Sequence, residues 1–196
     1  ISFFLLKDSD ILENSIFVFV NKNNEKRLKK SFESIKDLLS RYFLGLLLQI
    51  NILLIIYSIV LFTFGIKNAF IIAFLCSLLN LIPYIGPIIA AILMIILSMT
   101  SNLDADFSTI ILPKTIYVMI GFIIGQLIDN FFSQPYIFSK SVKSHPLEIF
   151  IIILVGGTLF GPIGMIAAIP FYTSLKVILK EFLSNNRIVK SLTKDL

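Results

Sequence analysis

The chain has 196 residues, 57% of them hydrophobic and only 15% charged, with a formal net charge of +5. A soluble domain carries about a quarter charged residues, so a soluble globular protein is excluded, and a mean hydropathy of +0.92 points to a polytopic membrane protein. The basic residues lie between apolar runs, which argues against nucleic acid and for loops facing anionic lipid.

The opening Ile1-Ser2-Phe3-Phe4-Leu5-Leu6 is apolar but too short to span a bilayer. Without a basic segment ahead of it, it does not read as a signal peptide. Residues 1–6 are expected to be the end of a truncated transmembrane helix. Residues 7–41 form the only long polar stretch. Leu28, Phe32, Ile35, Leu39 and Tyr42 recur there at helical spacing, with Lys26, Arg27, Lys29, Lys30 and Lys36 on other faces. This predicts a cytoplasmic amphipathic helix at the membrane surface, set off by a break at residues 21–24 from an earlier helix over 11–20.

Phe43 to Phe64 is a run of 22 residues without a charge, enough to cross a hydrocarbon core that needs about 20. After a tight connection at Gly65-Ile66-Lys67-Asn68, Ala69 to Met99 gives 31 uncharged residues. As one straight helix these would measure about 46 Å, against a core of roughly 30 Å. Pro83, Gly86 and Pro87 interrupt the run near its middle. Two half-length helices joined at this break are therefore expected.

The polar stretch around residues 100–113 forms the next loop, and Ile116 to Phe132 the next span. A loop with Lys140 and Lys143 leads into Leu147 to Val177, again too long for one crossing. That run is interrupted by Gly156-Gly157 and Gly161-Pro162-Ile163-Gly164. The tail from residue 181 is polar and basic. If both interrupted runs are hairpins, 15 of the 17 basic residues share one side, leaving Lys67 and Lys114 opposite. The positive-inside rule makes the larger set cytoplasmic. One hairpin combined with one full crossing splits the charges worse, whereas two full crossings do nearly as well.

The expected fold is therefore all-α, polytopic, with two broken or re-entrant helical hairpins in an inverted repeat. Residues 42–99 make the first span and hairpin, and residues 114–180 the second. Paired, Gly/Pro-interrupted segments in matching places point to a transporter's binding site. On that basis the two hairpin tips are expected to meet inside the membrane.

The candidate site residues follow from these breaks. Asn80, Pro83, Tyr84, Gly86 and Pro87 surround the first, where Asn80 and Tyr84 offer an amide and a hydroxyl. Gly157, Gly161, Pro162 and Gly164 surround the second, where they expose backbone groups or allow tight helix packing. Gln126, Asp129 and Asn130 form the polar end of the intervening span. Asp129 is the acid inside that span, and intramembrane acids mark ion pathways. Its alternative role is to accept hydrogen bonds from a neighbouring half-helix. Gln49 and Asn51 are expected to pair between helices. His145 precedes Pro146 in a loop, where a lone histidine carries no chemistry by itself. The single cysteine, Cys76, allows neither an internal disulfide nor a Cys-rich metal site. No nucleophile elbow, zinc-protease or Walker signature occurs, so no enzyme and no self-contained ATP-driven pump is expected.

The sequence Leu81-Ile82-Pro83-Tyr84-Ile85-Gly86-Pro87 resembles the signature of the AI-2E (autoinducer-2 exporter) family of permeases. So do Asp129-Asn130 before Pro135, His145-Pro146-Leu147, and the series Gly156-Gly157, Phe160-Gly161, Gly164, Ala168 and Pro170. The resemblance runs from Phe3-Leu6-Lys7-Asp8 to about Glu181. It implies a bacterial inner-membrane secondary transporter, with further helices ahead of residue 1 in family members. Activities named in the family include export of a signal molecule and sodium/proton antiport. Many members carry an acid at both ends of the stretch from Gln126 to Asp129, and here the first is an amide. The expected partners are the lipid bilayer and a small solute or ion, with homo-oligomerisation open and nucleic acid excluded. No cofactor is expected, and coupling to H+ or Na+ is open. A passive channel or a non-transporting membrane scaffold is the alternative.

Overall fold

The computed structural model describes residues 22–134 and 144–183, with four positions of the tail (186, 189, 190 and 193). The expected truncated helix end over 1–6, the early helix over 11–20, residues 135–143 of the loop with Lys140 and Lys143, and most of the tail lie outside the described residues. Among the described residues the chain is helical, with no strand. Helix α1 spans Lys22–Thr63 without interruption. Its 42 residues extend about 63 Å, so the basic amphipathic segment and the first span are one rod with no elbow between them. No Pro, and no Gly apart from Gly45, interrupts residues 22–63, so nothing in the backbone favours a joint at residue 42.

The turn after α1 uses two left-handed residues, Gly65 and Asn68. Helix α2 (Ala69–Leu79) and helix α3 (Ile85–Thr100) follow. They fold against each other. Cys76 Sγ approaches the Ala90 carbonyl, and at the open end the Lys67 amide donates to Ser101 Oγ at 2.6 Å. Residues 34 positions apart thus meet at the base, so the first interrupted run returns to the end it started from. At its tip, Gly86 abuts the Leu79 carbonyl so closely that a Cβ would run into it. Only glycine lets α3 begin there.

A π-helical turn over Phe107–Ile111 opens helix α4 (Leu112–Ile128), and a second over Asp129–Ser133 continues it. Asp106 caps the first, accepting from Thr109 N and Thr109 Oγ1 at 2.9 and 2.8 Å. These hydrogen bonds hold its carboxyl below the usual carboxylate range. Helix α4 runs antiparallel to α1: Phe64 stacks on Tyr117, Tyr57 on Phe122, and Gln49 reaches Asp129. Leu53, Tyr57, Leu61, Ala73, Cys76, Ala90, Met94, Val118 and Phe122 form the core shared by α1 to α4.

Helix α5 (Pro146–Phe182) starts at a cap in which His145 Nδ1 accepts from the Leu147 amide. It is nominally continuous but breaks at Gly161, whose φ of 62° and ψ of −150° are open to glycine alone. The two arms double back. Glu148 and Lys176 would lie about 42 Å apart on a straight helix, yet Lys176 Nζ is 3.1 Å from Glu148 Oε2. Gly156 and Gly164 make the crossing close, since a Cβ on Gly156 would lie 2.6 Å from the Gly164 carbonyl oxygen. This second hairpin docks on the lower part of α1, where Tyr42 meets Ile149, Ile153, Ala168 and Ile169.

Candidate functional site

Polar side chains in an apolar interior must find partners, because an unpaired buried group costs roughly 1–3 kcal/mol. Here they converge where the first hairpin's tip meets α1 and α4. Gln126 donates from Nε2 to both Tyr57 Oη and Asn80 Oδ1 at 2.8 Å. Asn80 Nδ2 in turn donates to the Cys76 carbonyl at 2.8 Å. One helical turn along α4, Asp129 is 0% exposed. Its Oδ2 accepts from Gln49 Nε2 at 2.8 Å and Gln134 Nε2 at 3.1 Å, and Gln134 also donates to Asn130 Oδ1. Among the described residues Asp129 Oδ1 makes no such bond, but the buried Ser133 side chain lies beside the carboxyl as a third neutral neighbour.

These amides wall a cavity of about 350 Å³. It is lined by Tyr42, Leu46 and Gln49 from α1, by Asn80, Leu81, Pro83, Tyr84 and Pro87 from the first tip, by Gln126, Asn130 and Gln134 from the α4 segment, and by Ile153 from α5. Tyr84 holds a left-handed φ of 65°, a strained conformation for a bulky residue. Its ring meets Phe150 edge-on, with centroids 5.3 Å apart. The π-helical turn that carries Asp129 and Asn130 adds a residue to the helical repeat, a feature that recurs at functional sites.

Of the residues singled out in sequence, Asn80, Pro83, Tyr84, Pro87, Gln126 and Asn130 line this cavity. Asp129 lies behind it, held by two of its lining amides, and Gly86 shapes the tip from behind. Gly157, Gly161, Pro162 and Gly164 do not line it. Gly164 serves the crossing of the second hairpin's arms, Gly157 lies against Met165, and Gly161 turns the chain. The expected meeting of the two tips does not occur among the described residues. Tyr84 touches Phe150, eleven residues before Gly161 and so about 16 Å along the helix. Phe160 and Ile163, beside Gly161, are 74% and 78% exposed. The second hairpin is fixed to α1 by its lower half, which leaves its tip projecting.

Sequence reasoning missed Tyr42, Tyr57, Gln134, Leu46 and Ile153 as parts of the site. A signal for Tyr57 existed: Gln49, Leu53 and Tyr57 repeat every fourth residue on one face of α1. Gln134 follows Asn130 at the same spacing. Gln49 does pair between helices, whereas Asn51 turns back to the Leu47 carbonyl. A second buried polar group, Lys176, was not singled out at all. Its ammonium bonds Ser144 Oγ and Glu148 Oε2 at the base of the second hairpin, where Tyr172 also donates to Glu148. Among the described residues no cluster of His, Cys, Asp or Glu could hold a metal ion.

An all-α membrane protein with an amide-lined cavity closed by a broken-helix tip has the build of a transporter or permease. The chain matches the AI-2E family transporter over residues 1–184, and it belongs to that family. It is 30% identical over 181 residues to the Bacillus subtilis protein named "Putative transport protein YrrI", covering 92% of this chain and 49% of that one. It is 27% identical over 190 residues to YueF of the same organism, covering 97% and 48%. Escherichia coli TqsA, named an AI-2 transport protein, is 28% identical over 116 residues, covering 59% of this chain and 31% of its own. The chain therefore spans about half the length of the curated relatives it matches. No solved structure matches it.

Proposed function

We propose that the protein is a secondary transporter of a small solute in the bacterial inner membrane, with the cavity at the first hairpin tip as its solute site and Asp129 as its coupling-ion site. One observation carries this reading: Asp129 is wholly buried, and among the described residues its carboxyl meets only the neutral side chains of Gln49, Gln134 and Ser133, with no cation beside it. A buried carboxylate without a countercharge is costly, and a bound proton or sodium ion removes the cost. No Lys, Arg or His lines the adjoining cavity among the described residues to do so instead. The cavity lies toward the end of the molecule that bears the basic part of α1. By the positive-inside rule that end is cytoplasmic. The names of the relatives, transport proteins of one family, favour transport over a scaffold role. Release of the Gln126–Asn80 contact would let the first tip move away from α4 and change which side reaches the cavity.

The test is transport by the full-length protein in vesicles with imposed proton or sodium gradients, over a panel of small solutes. Gradient-driven, saturable accumulation is expected, and Asp129→Asn should abolish accumulation while leaving exchange down the solute's own gradient. Flux that neither saturates nor responds to either gradient contradicts the reading.

A further inference from the structure

The hydrogen bonds around the cavity fix which way its amides face. The Cys76 carbonyl can only accept, so Asn80 must present Nδ2 to it and Oδ1 to Gln126. Gln126 must then donate, and both its N–H bonds are taken by Asn80 and Tyr57. The carboxylate of Asp129 orients Gln49 and Gln134 in the same way, nitrogen inward. Three glutamine carbonyl oxygens are left without a hydrogen bond among the described residues, in front of the buried Asp129 carboxylate, whose Oδ1 makes no bond to them and has Ser133 nearby. The tyrosine hydroxyls of the lining can turn to accept, while these four oxygens cannot donate. Asn130 keeps its Nδ2 as a donor, but it carries no charge.

The rest of the lining is apolar or aromatic, with the rings of Tyr42 and Tyr84 and the side chains of Leu46, Leu81 and Ile153. A volume of about 350 Å³ is far more than a bare alkali ion fills and falls in the range of small organic ligands. Acceptor oxygens and aromatic faces on the wall, with one negative charge behind Gln49 and Gln134, together suit a cation that has N–H donors and an apolar body.

We propose that the cavity takes a small protonated amine, and that its ammonium and a proton compete for the Asp129 carboxylate so that the transporter exchanges one for the other. This rests on the transporter reading above and names its substrate class. The ammonium would replace one glutamine N–H on Oδ2. The proton that held the carboxylate neutral leaves as the charged amine binds, so charge within the site is conserved. Among the described residues the ionisable groups nearby are Tyr57 and Tyr42 on α1 and Tyr84 and Cys76 on the first hairpin, none of them a base. Among the described residues of α5, only the apolar Ile153 reaches the cavity. Among the described residues no group other than the carboxylate is therefore available to balance the incoming charge.

The experiment is equilibrium binding of radiolabelled phenethylamine to the purified full-length protein, with phenethyl alcohol and hydrocinnamate as neutral and anionic competitors of similar size. The amine should bind at least about tenfold more tightly than either, as expected for a charge-assisted hydrogen bond over a neutral one. Its binding should weaken as pH falls and should release a proton in weakly buffered solution. Asp129→Asn should reduce the preference over the alcohol to less than about threefold. Equal binding of the alcohol, tighter binding of the anion, binding without proton release, or no binding of the amine overturns the proposal. If the amine is ignored while another solute is accumulated in an Asp129-dependent way, the transporter reading stands and the amine class falls. If the amine binds as described but no solute crosses vesicles, the ligand class stands and the transporter reading falls.

Discussion

The two hairpins begin from nearly the same sequence device, a Gly-Pro-Ile step in a long apolar run, and come to opposite uses. The first places polar side chains at its tip, Asn80 before the break and Tyr84 within it, and that tip is latched onto α4 by Gln126. The second places Leu159, Phe160 and Ile163 at its tip, all well exposed, and keeps its polar contacts at the base, where Lys176 meets Glu148 and Ser144. A helix break in a membrane protein therefore marks a fold-back, and the neighbouring side chains decide whether it is also a site. In the first hairpin the break serves the cavity. In the second it serves the packing of two arms through Gly156 and Gly164.

The comparison can be broken most severely where both hairpins depend on glycine. Gly86→Leu and Gly164→Leu each drive a side chain into a backbone carbonyl. Each should cost about 3 kcal/mol or more, at the upper end of overpacking effects, read as a large fall in melting temperature of the full-length protein in detergent. Unchanged melting of either variant would remove the corresponding fold-back.

The base clamp separates the hairpins next. Lys176→Met leaves Glu148 without its cation, and because that carboxylate is partly exposed the expected loss is about 2–3 kcal/mol, below that of a fully buried pair. Adding Glu148→Leu should recover part of it. Solute affinity per folded molecule should stay within a factor of about two, since neither residue lines the cavity. Gln126→Leu should do the reverse. It removes two hydrogen bonds worth about 1–2 kcal/mol together, a smaller stability effect, but it frees the first tip and should weaken solute binding clearly.

The smallest effect is expected at Asp106, on the exposed cap of the π-helical turn. Its carboxyl is held below its ordinary value by Thr109, so it stabilises the folded state at neutral pH. That contribution is lost as pH falls through the depressed folded value. Asp106→Ala should lower the melting temperature slightly at neutral pH and not at all in strong acid, a difference that thermal unfolding across pH would detect.

Much of this architecture was legible because length conflicts with hydropathy. A run of 31 uncharged residues cannot be one straight crossing, and Pro83, Gly86 and Pro87 say where it bends. The cavity's polar residues were legible for the same reason, since amides and an acid inside spans have few uses. Two things were not. The continuity of α1 across residue 42 was hidden because a change in composition, from charged to apolar, does not require a change in backbone. The separation of the tips was hidden because it depends on which part of α1 each hairpin packs against. That choice is made by shape, with Tyr42 against Ile149 and Ile153 for the second hairpin, and Leu53, Tyr57 and Leu61 in one core with Ala69, Ala73 and Cys76 for the first. Sequence periodicity does not encode such pairings.

The most direct test of the claim that the first tip carries the site and the second does not is solute exchange by Asn80→Leu and Phe160→Ala, measured in matched vesicles at equal amounts of folded protein. Asn80→Leu removes the latch and one wall of the cavity, and its exchange rate should fall at least about tenfold. Phe160→Ala truncates an exposed side chain at the second tip, and its rate should stay within about twofold of the parent. The opposite order, with Phe160→Ala crippled and Asn80→Leu unaffected, would contradict the assignment.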